Sequence, residues 1–342
     1  MAILGRMLLA AAGGVIALGA HAQSSVQLMG TVDTFVGSMR MAGDTGRRTV
    51  VGSGGMTTSW FGFKGTEDLG GGLKANFALT AFFQADSGTA GRFANDPFFS
   101  RDANVSLSGR FGTVMLGRGL APNFLPTILF NPFGDSFTFS PLVLHNNVPL
   151  FNPSGWAATT PSDTGWANEI LYTTPNFGGL TANFHYQFGE VANDNGVRNF
   201  GANLLFFKGP FAATAFYESD DLSNPVPARF TGDARRTDWM LGASWDFTAA
   251  KLFGTYGRSR TSISPLESRT VSLGGTVPVG AGKIMLGTAR TEYTPGRTRR
   301  TTTVGYDHNL SKRTDVYVNV MRDTITTFSG GTSFGAGIRH RF

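Results

Sequence analysis

The sequence predicts an all-β chain, a 16-stranded antiparallel transmembrane β-barrel with one long loop folded into its bore. Three observations carry that prediction. Segments of about ten residues alternate apolar and polar side chains, as strands with one lipid face and one water face must. The last strand keeps this period through Gly337, Ile338, Arg339, His340, Arg341 and Phe342, with Phe334, Ala336, Ile338, His340 and Phe342 on one face. Beyond residue 20, no apolar run reaches the ~20 residues a spanning helix needs.

Residues 1–22 read as a secretory signal. Arg6 precedes an apolar stretch from Met7 to Ala20, and Ala20-His21-Ala22 supplies a small-x-small cleavage site. The mature domain is therefore expected to span residues 23–342, exported to the outer membrane. With 46 Gly, 30 Phe and no Cys in the chain, a disulfide framework is excluded and one cooperative sheet must supply the stability. Mean hydropathy near zero fits outward apolar residues alternating with inward polar ones. The formal charge of +6 is scattered rather than gathered into one run, which argues against nucleic acid as a partner.

Strands are expected to begin near residues 26, 57, 73, 101, 112, 168, 180, 199, 211, 236, 250, 269, 283, 299, 313 and 333. Leu180 to Gly189 is the cleanest, with Leu180, Ala182, Phe184, Tyr186 and Phe188 on one face. Trp239, Leu241, Ala243, Trp245 and Phe247 repeat the pattern, as do Val304, Tyr306, His308 and Leu310, and Ala75, Phe77, Leu79 and Ala81. Ala202 to Phe207 and Arg101 to Leu107 are ambiguous in parity, which packing of one barrel on another would explain. Tight turns at 68–72, 109–112, 176–179, 208–210 and 279–282 alternate with longer polar connections at 42–55, 86–95, 220–233 and 295–300. Short periplasmic turns and long outer loops give a membrane barrel this asymmetry.

One connection breaks the rhythm. Between Leu120 and Ala167 stand Pro122, Pro126, Pro132, Pro141, Pro149, Pro153 and Pro161, a proline density that excludes a central strand. Phe124, Phe130, Phe133, Phe137, Phe139, Phe151 and Trp156 require something to pack on, and the barrel interior offers it. Residues 121–165 are thus expected to narrow the channel; the alternative is a loop resting on the rim or on a neighbouring subunit.

Several segments resemble the Gram-negative general diffusion porins of beta-proteobacteria. They are 22–30, Gly62-Phe63-Lys64-Gly65-Thr66-Glu67-Asp68-Leu69-Gly70-Gly71-Gly72-Leu73-Lys74-Ala75, Phe111-Gly112-Thr113-Val114-Met115-Leu116-Gly117-Arg118, 172–180, 310–317 and 337–342. The resemblance implies a homotrimer whose third outer loop is the constriction. It also implies passage by size and charge alone, with small hydrophilic solutes and ions as cargo. Phe342 would end an assembly signal for the barrel assembly machinery, and outer-membrane lipid and lipopolysaccharide would be partners, the latter through Arg47, Arg48, Arg297, Arg299 and Arg300. In the family, acidic residues on the loop face wall arginines. Asn131-Pro132-Phe133-Gly134-Asp135 resembles the loop tip, making Asp135 the acidic candidate, with Phe133 where the family has Glu. Lys64, Arg101 and Arg118 are the basic wall candidates, whereas Trp60 and Trp166 stand where arginines are common. Fewer guanidiniums and more indole surface predict weaker anion preference and greater tolerance of aromatic or amphipathic solutes.

Catalysis finds no constellation. The histidines at 21, 145, 185, 308 and 340 are isolated in sequence and form no metal motif; His185 is read as a solvated lumen residue and His340 as an outer-face one. Neither cofactor nor metal is implied. Gly52-Ser53-Gly54-Gly55 lacks the Lys-Ser/Thr of a phosphate loop and precedes a strand. The alternatives to a diffusion channel are a structural or receptor barrel that works through its loops, and a channel with a defined ligand.

Overall fold

The computed structural model describes residues 25–148, 164–193, 198–223, 228–229, 235–262, 267–294 and 296–342. The expected signal and residues 149–163 of the long loop lie outside them. The strands are β1 (Ser25–Met39), β2 (Arg48–Ser53), β3 (Trp60–Gly70), β4 (Leu73–Phe82), β5 (Asp102–Gly109), β6 (Gly112–Leu120), β7 (Gly165–Thr173), β8 (Leu180–Phe188), β9 (Arg198–Lys208), β10 (Phe211–Asp220), β11 (Leu222–Ser223), β12 (Ala228–Arg229), β13 (Arg236–Asp246), β14 (Lys251–Thr261), β15 (Glu267–Val279), β16 (Gly282–Tyr293), β17 (Arg297–Asn309), β18 (Thr314–Ile325) and β19 (Gly331–Arg341). Two short helices, α1 (Phe124–Leu129) and α2 (Pro141–Asn146), lie in the long loop between β6 and β7.

Every long strand pairs antiparallel with its sequence neighbour, and β1 pairs with β19 from Thr31↔Arg341 to Ser38↔Phe334, which closes the sheet on itself. That sheet has 17 strands, but β2 and β3 both pair with β1, at Thr34–Met39 and Ser25–Thr31 respectively. They are two pieces of one barrel position, so the circumference is 16 strands. Residues 48–53 were expected in a loop; Thr49, Val50 and Val51 instead extend the ladder beside β1.

Closure removes the exposed sheet edge, and lipid outside then sorts the side chains. Phe61, Phe63, Phe184, Phe188, Leu241, Trp245, Val304, Phe334, Ile338 and Phe342 are exposed, while Thr303, Gly335 and Arg339, their neighbours in sequence, are buried. The alternation read from the C-terminal strand therefore holds.

The ambiguous segments resolve without a second barrel. In β5, Asp102, Asn104 and Ser106 share the inner face and Val105 and Leu107 the outer. In β9, Leu204 faces out, whereas Leu205 packs inside the barrel on Phe130, Ala212 and Leu125. Apolar residues occupy both faces of β9 because the long loop covers the inner one.

From Ala121 to Val148 the loop lies against inward-facing residues. Its start is held by Asn123, whose Nδ2 donates to both Glu218 carboxylate oxygens at 3.0 and 2.9 Å. Further on, Pro132 and Phe133 sit over glycines of the wall: a Cβ on Gly274 would lie 2.7 Å from Pro132, and one on Gly287 3.2 Å from Phe133. Phe133 is buried with Phe35, Met56, Phe139, Leu144, Met285, Tyr317 and Met321. Ser140 caps α2 through Val143 N–H, and Pro141 begins the helix, where its missing N–H is harmless. His145 ends that turn between the Thr291 and Thr301 hydroxyls, at 2.6 and 2.8 Å. Burial, helped by nearby Arg299, holds it well below the ordinary imidazole range, so it is neutral. Arg299 donates to Leu144 O at 3.0 Å and to Asp323 at 3.0 Å, tying the helix to the wall.

Candidate functional site

The basic wall begins with β3. Because Phe61 and Phe63 face outward, Trp60 and Lys64 face the lumen. Arg101 stands just before β5, its N–H bonded to Thr80 O at 3.2 Å, and its guanidinium carbon lies 4.0 Å from the Trp60 ring centroid. A cation over an indole face at that distance is attracted by the ring quadrupole. Trp60 therefore does not merely replace a charge; it holds Arg101 in place.

Asp102, absent from the sequence candidates, organises this cluster. Its Oδ2 lies 2.8 Å from Arg101 Nη1 and 3.9 Å from Lys64 Nζ, and accepts from Thr80 Oγ1 at 2.7 Å. Two cations and one carboxylate leave one net positive charge, and the Lys64 side chain, 43% exposed, presents it to solvent.

Two other candidates are withdrawn from water. Arg118 is buried beside a register shift between Gly117 and Gly119, with Nε donating to Ser100 O at 2.7 Å. Trp166 is 0% exposed and meets His185 edge-on, ring centroids 6.1 Å apart. His185 in turn is buried with Nδ1 2.6 Å from Glu169 Oε1, so it is not the solvated residue its isolation in sequence suggested. Trp166 thus presents no indole surface to the channel.

The acidic side is the loop tip. Asp135 Oδ1 accepts from Thr57 Oγ1 at 2.9 Å, and Thr57 Oγ1 accepts from Arg339 Nη1 at 2.8 Å. Arg339 is itself held by Asp315 at 3.1 Å and Asp307 at 3.4 Å. Ser136 Oγ and Thr138 Oγ1 donate to Gly55 O and Gly54 O at 2.6 and 2.9 Å. The tip thus docks on the gap between β2 and β3, where the wall's own ladder is interrupted. Burial pushes the Asp135 carboxyl above the ordinary carboxylate range, opposed by the Thr57 hydrogen bond and by the charges of Arg339 and Arg101.

Asp33 builds the gap that receives the tip. Its carboxylate, 0% exposed, accepts from the N–H groups of Gly55, Met56 and Thr57 at 3.1, 2.8 and 2.8 Å and from the Tyr317 hydroxyl. An aspartate inside an alternating strand carries no sequence signal for this task; only the closed barrel brings residues 33, 57, 135, 317 and 339 together. At the other end of the seam, Phe342 exchanges two backbone hydrogen bonds of 3.1 Å with Gly30, and its ring covers that glycine.

With this geometry in view, comparison with known proteins is direct. A family model described as Gram-negative porin matches residues 8–327. Outer membrane porin protein 32 of Delftia acidovorans is 34% identical over 355 residues, covering 94% of this chain and 95% of that protein. An outer membrane porin protein of Bordetella pertussis is 25% identical over 386 residues, covering 94% and 96%. Among solved structures, the anion-selective porin from Comamonas acidovorans superposes with a TM-score of 0.77 at 30% identity, covering 94% of this chain and 100% of that one. A closed barrel with a polar inner face and an apolar outer one, matched over nearly its whole length, belongs to the Gram-negative porin family, and the protein is an outer-membrane porin for passive diffusion of small hydrophilic solutes and ions.

Proposed function

We propose that the loop of residues 121–165 forms the constriction of a homotrimeric channel, with Lys64 and Arg101 contributed by the wall and Asp135 by the loop. The observation that carries this reading is the docking of the tip through Asp135, Ser136 and Thr138 on the gap at Gly54–Thr57, which holds the loop against the inner wall. Residues 1–22 act as a cleaved export signal, Phe342 ends the assembly signal, and the short-turn end of the barrel faces the periplasm. No catalytic step is involved; solutes move down their gradients, filtered by bore and charge.

One net positive charge at Lys64, Arg101 and Asp102 set against Asp135 supports a weaker anion preference than a wall of several free arginines would give. Planar-bilayer recording of the refolded protein under a potassium chloride gradient tests the reading. Conductance steps in groups of three support the trimeric channel, and silence from folded protein sinks it. Trp60→Arg is expected to move the reversal potential towards anions, both by its own charge and by releasing Arg101; an unchanged potential removes Trp60 from the filter.

Acidification is expected to do the same by another route. Because burial raises Asp135, it becomes neutral at a higher pH than an ordinary carboxylate, and each neutralisation removes a negative charge from the passage. Anion preference should therefore rise as pH falls through this range, and Asp135→Asn should abolish that rise. A pH profile identical in the variant assigns the titration elsewhere.

A further inference from the structure

A second feature of the lumen has the wrong polarity for a simple water channel. Inward positions of a wide barrel are expected to be polar, yet below α1 the inner faces of β6, β7 and β9 present Met115, Leu171, Leu205 and Phe207. Phe207 follows Phe206 in sequence, and it is Phe206 that lies tilted beside Phe211; Phe207 points the other way, tilted against Phe130 of the loop at 6.2 Å. It is 49% exposed, an aromatic ring offered to water inside the channel.

These side chains, with Leu125 of α1, line a recess of about 440 Å³, within the ~300–1,000 Å³ typical of small-molecule sites. Its polar wall is fixed in advance. Asn183 Nδ2 donates to Asn203 Oδ1 at 2.7 Å, Asn203 Nδ2 donates to Pro122 O at 3.0 Å, and Thr173 Oγ1 donates to Asn183 Oδ1 at 2.6 Å. Asp102 also lines the recess, and it is the carboxylate that holds Arg101 and Lys64. Two cations thus stand within 3.9 Å of a carboxylate that lines the recess, and the three groups together carry one net positive charge.

We propose that this recess binds small amphipathic anions, an aryl or short alkyl group joined to a carboxylate, with the apolar part against Leu171, Leu205 and Phe207 and the carboxylate towards Lys64. The inference rests on the channel reading and gives its solute class: such anions pause in the lumen where inorganic ions do not. The apolar wall selects for the ring or chain, and the cation pair selects the sign of the head.

Phenylacetate, acetate and phenethylammonium serve as probes. In bilayer recordings, phenylacetate is expected to interrupt the current in a concentration-dependent way, with acetate and phenethylammonium at least about tenfold weaker, the factor worth 1.4 kcal/mol. Phe207→Gln, and independently Leu171→Thr, should raise the half-blocking concentration of phenylacetate about fivefold to tenfold. Lys64→Gln should erase the discrimination between phenylacetate and phenethylammonium. Equal block by acetate and phenylacetate, or block indifferent to both apolar substitutions, overturns the proposal. Calorimetric titration of phenylacetate into the detergent-solubilised protein reads the same site without conduction. Binding without conductance rejects the channel reading alone, and conductance without binding rejects the recess alone.

Discussion

Replacing Asp33 by alanine is expected to lower the stability of the barrel by about 3–5 kcal/mol, the range for removing one partner of a buried charged network. The carboxylate stands in for the missing ladder between β2 and β3: three consecutive N–H groups, those of Gly55, Met56 and Thr57, converge on it with the Tyr317 hydroxyl. Without it these donors stay buried with no acceptor, or the gap opens to water and the loop tip loses its dock at Gly54, Gly55 and Thr57. Asp33→Asn keeps one acceptor oxygen and should lose roughly half as much. Urea unfolding in lipid vesicles measures the loss, and open-channel current noise reads the loosened tip. A midpoint unchanged in Asp33→Ala means that water already satisfies the gap.

Phe133→Glu should be among the most damaging changes in the loop. The ring is 1% exposed, set in the cluster of Phe35, Met56, Phe139 and Met285 and lying over Gly287. A carboxylate there would sit among apolar side chains and must either be buried neutral or lift the tip off the wall. Phe133→Ala should cost the loop about 3–5 kcal/mol of packing, and the glutamate at least as much. Both should show larger and noisier conductance than the parent, the glutamate more so above the pH at which it ionises. Quiet, unaltered channels in both variants remove Phe133 as the anchor.

The alternation that exposes Leu180, Phe184 and Phe188 was legible because lipid leaves so little choice at those positions. Strand β2 was not, because Arg48 to Ser53 is short, polar in part and followed by glycines, and only β1 beside it makes it a strand. Parity in β9 was unreadable for a physical reason: Leu205 is covered by the loop, so both faces of the strand are apolar. At the site, Trp60, Lys64, Arg101 and Asp135 follow from local patterns and motif matches. The roles of Asp33, Thr57, Asp102 and Arg339 do not, since they depend on contacts made after closure. Trp166 shows the converse error, an inward residue that burial removes from the passage.

The glycines beneath the loop have an evolutionary consequence. Pro132 and Phe139 approach Gly274 and Gly335 too closely for a side chain to stand there unless the loop shifts, with hypothetical Cβ distances of 2.7 and 2.6 Å, and at Gly287, 3.2 Å from Phe133, the ring would have to give slightly. Loop and wall are therefore a single heritable unit. A graft of residues 121–148 into another barrel would seat only in a recipient carrying small residues at those three points, and drift at any one of them would have to be answered by a change in the loop. Exchange of channel properties among relatives should accordingly proceed by transfer of matched segments rather than of the loop by itself.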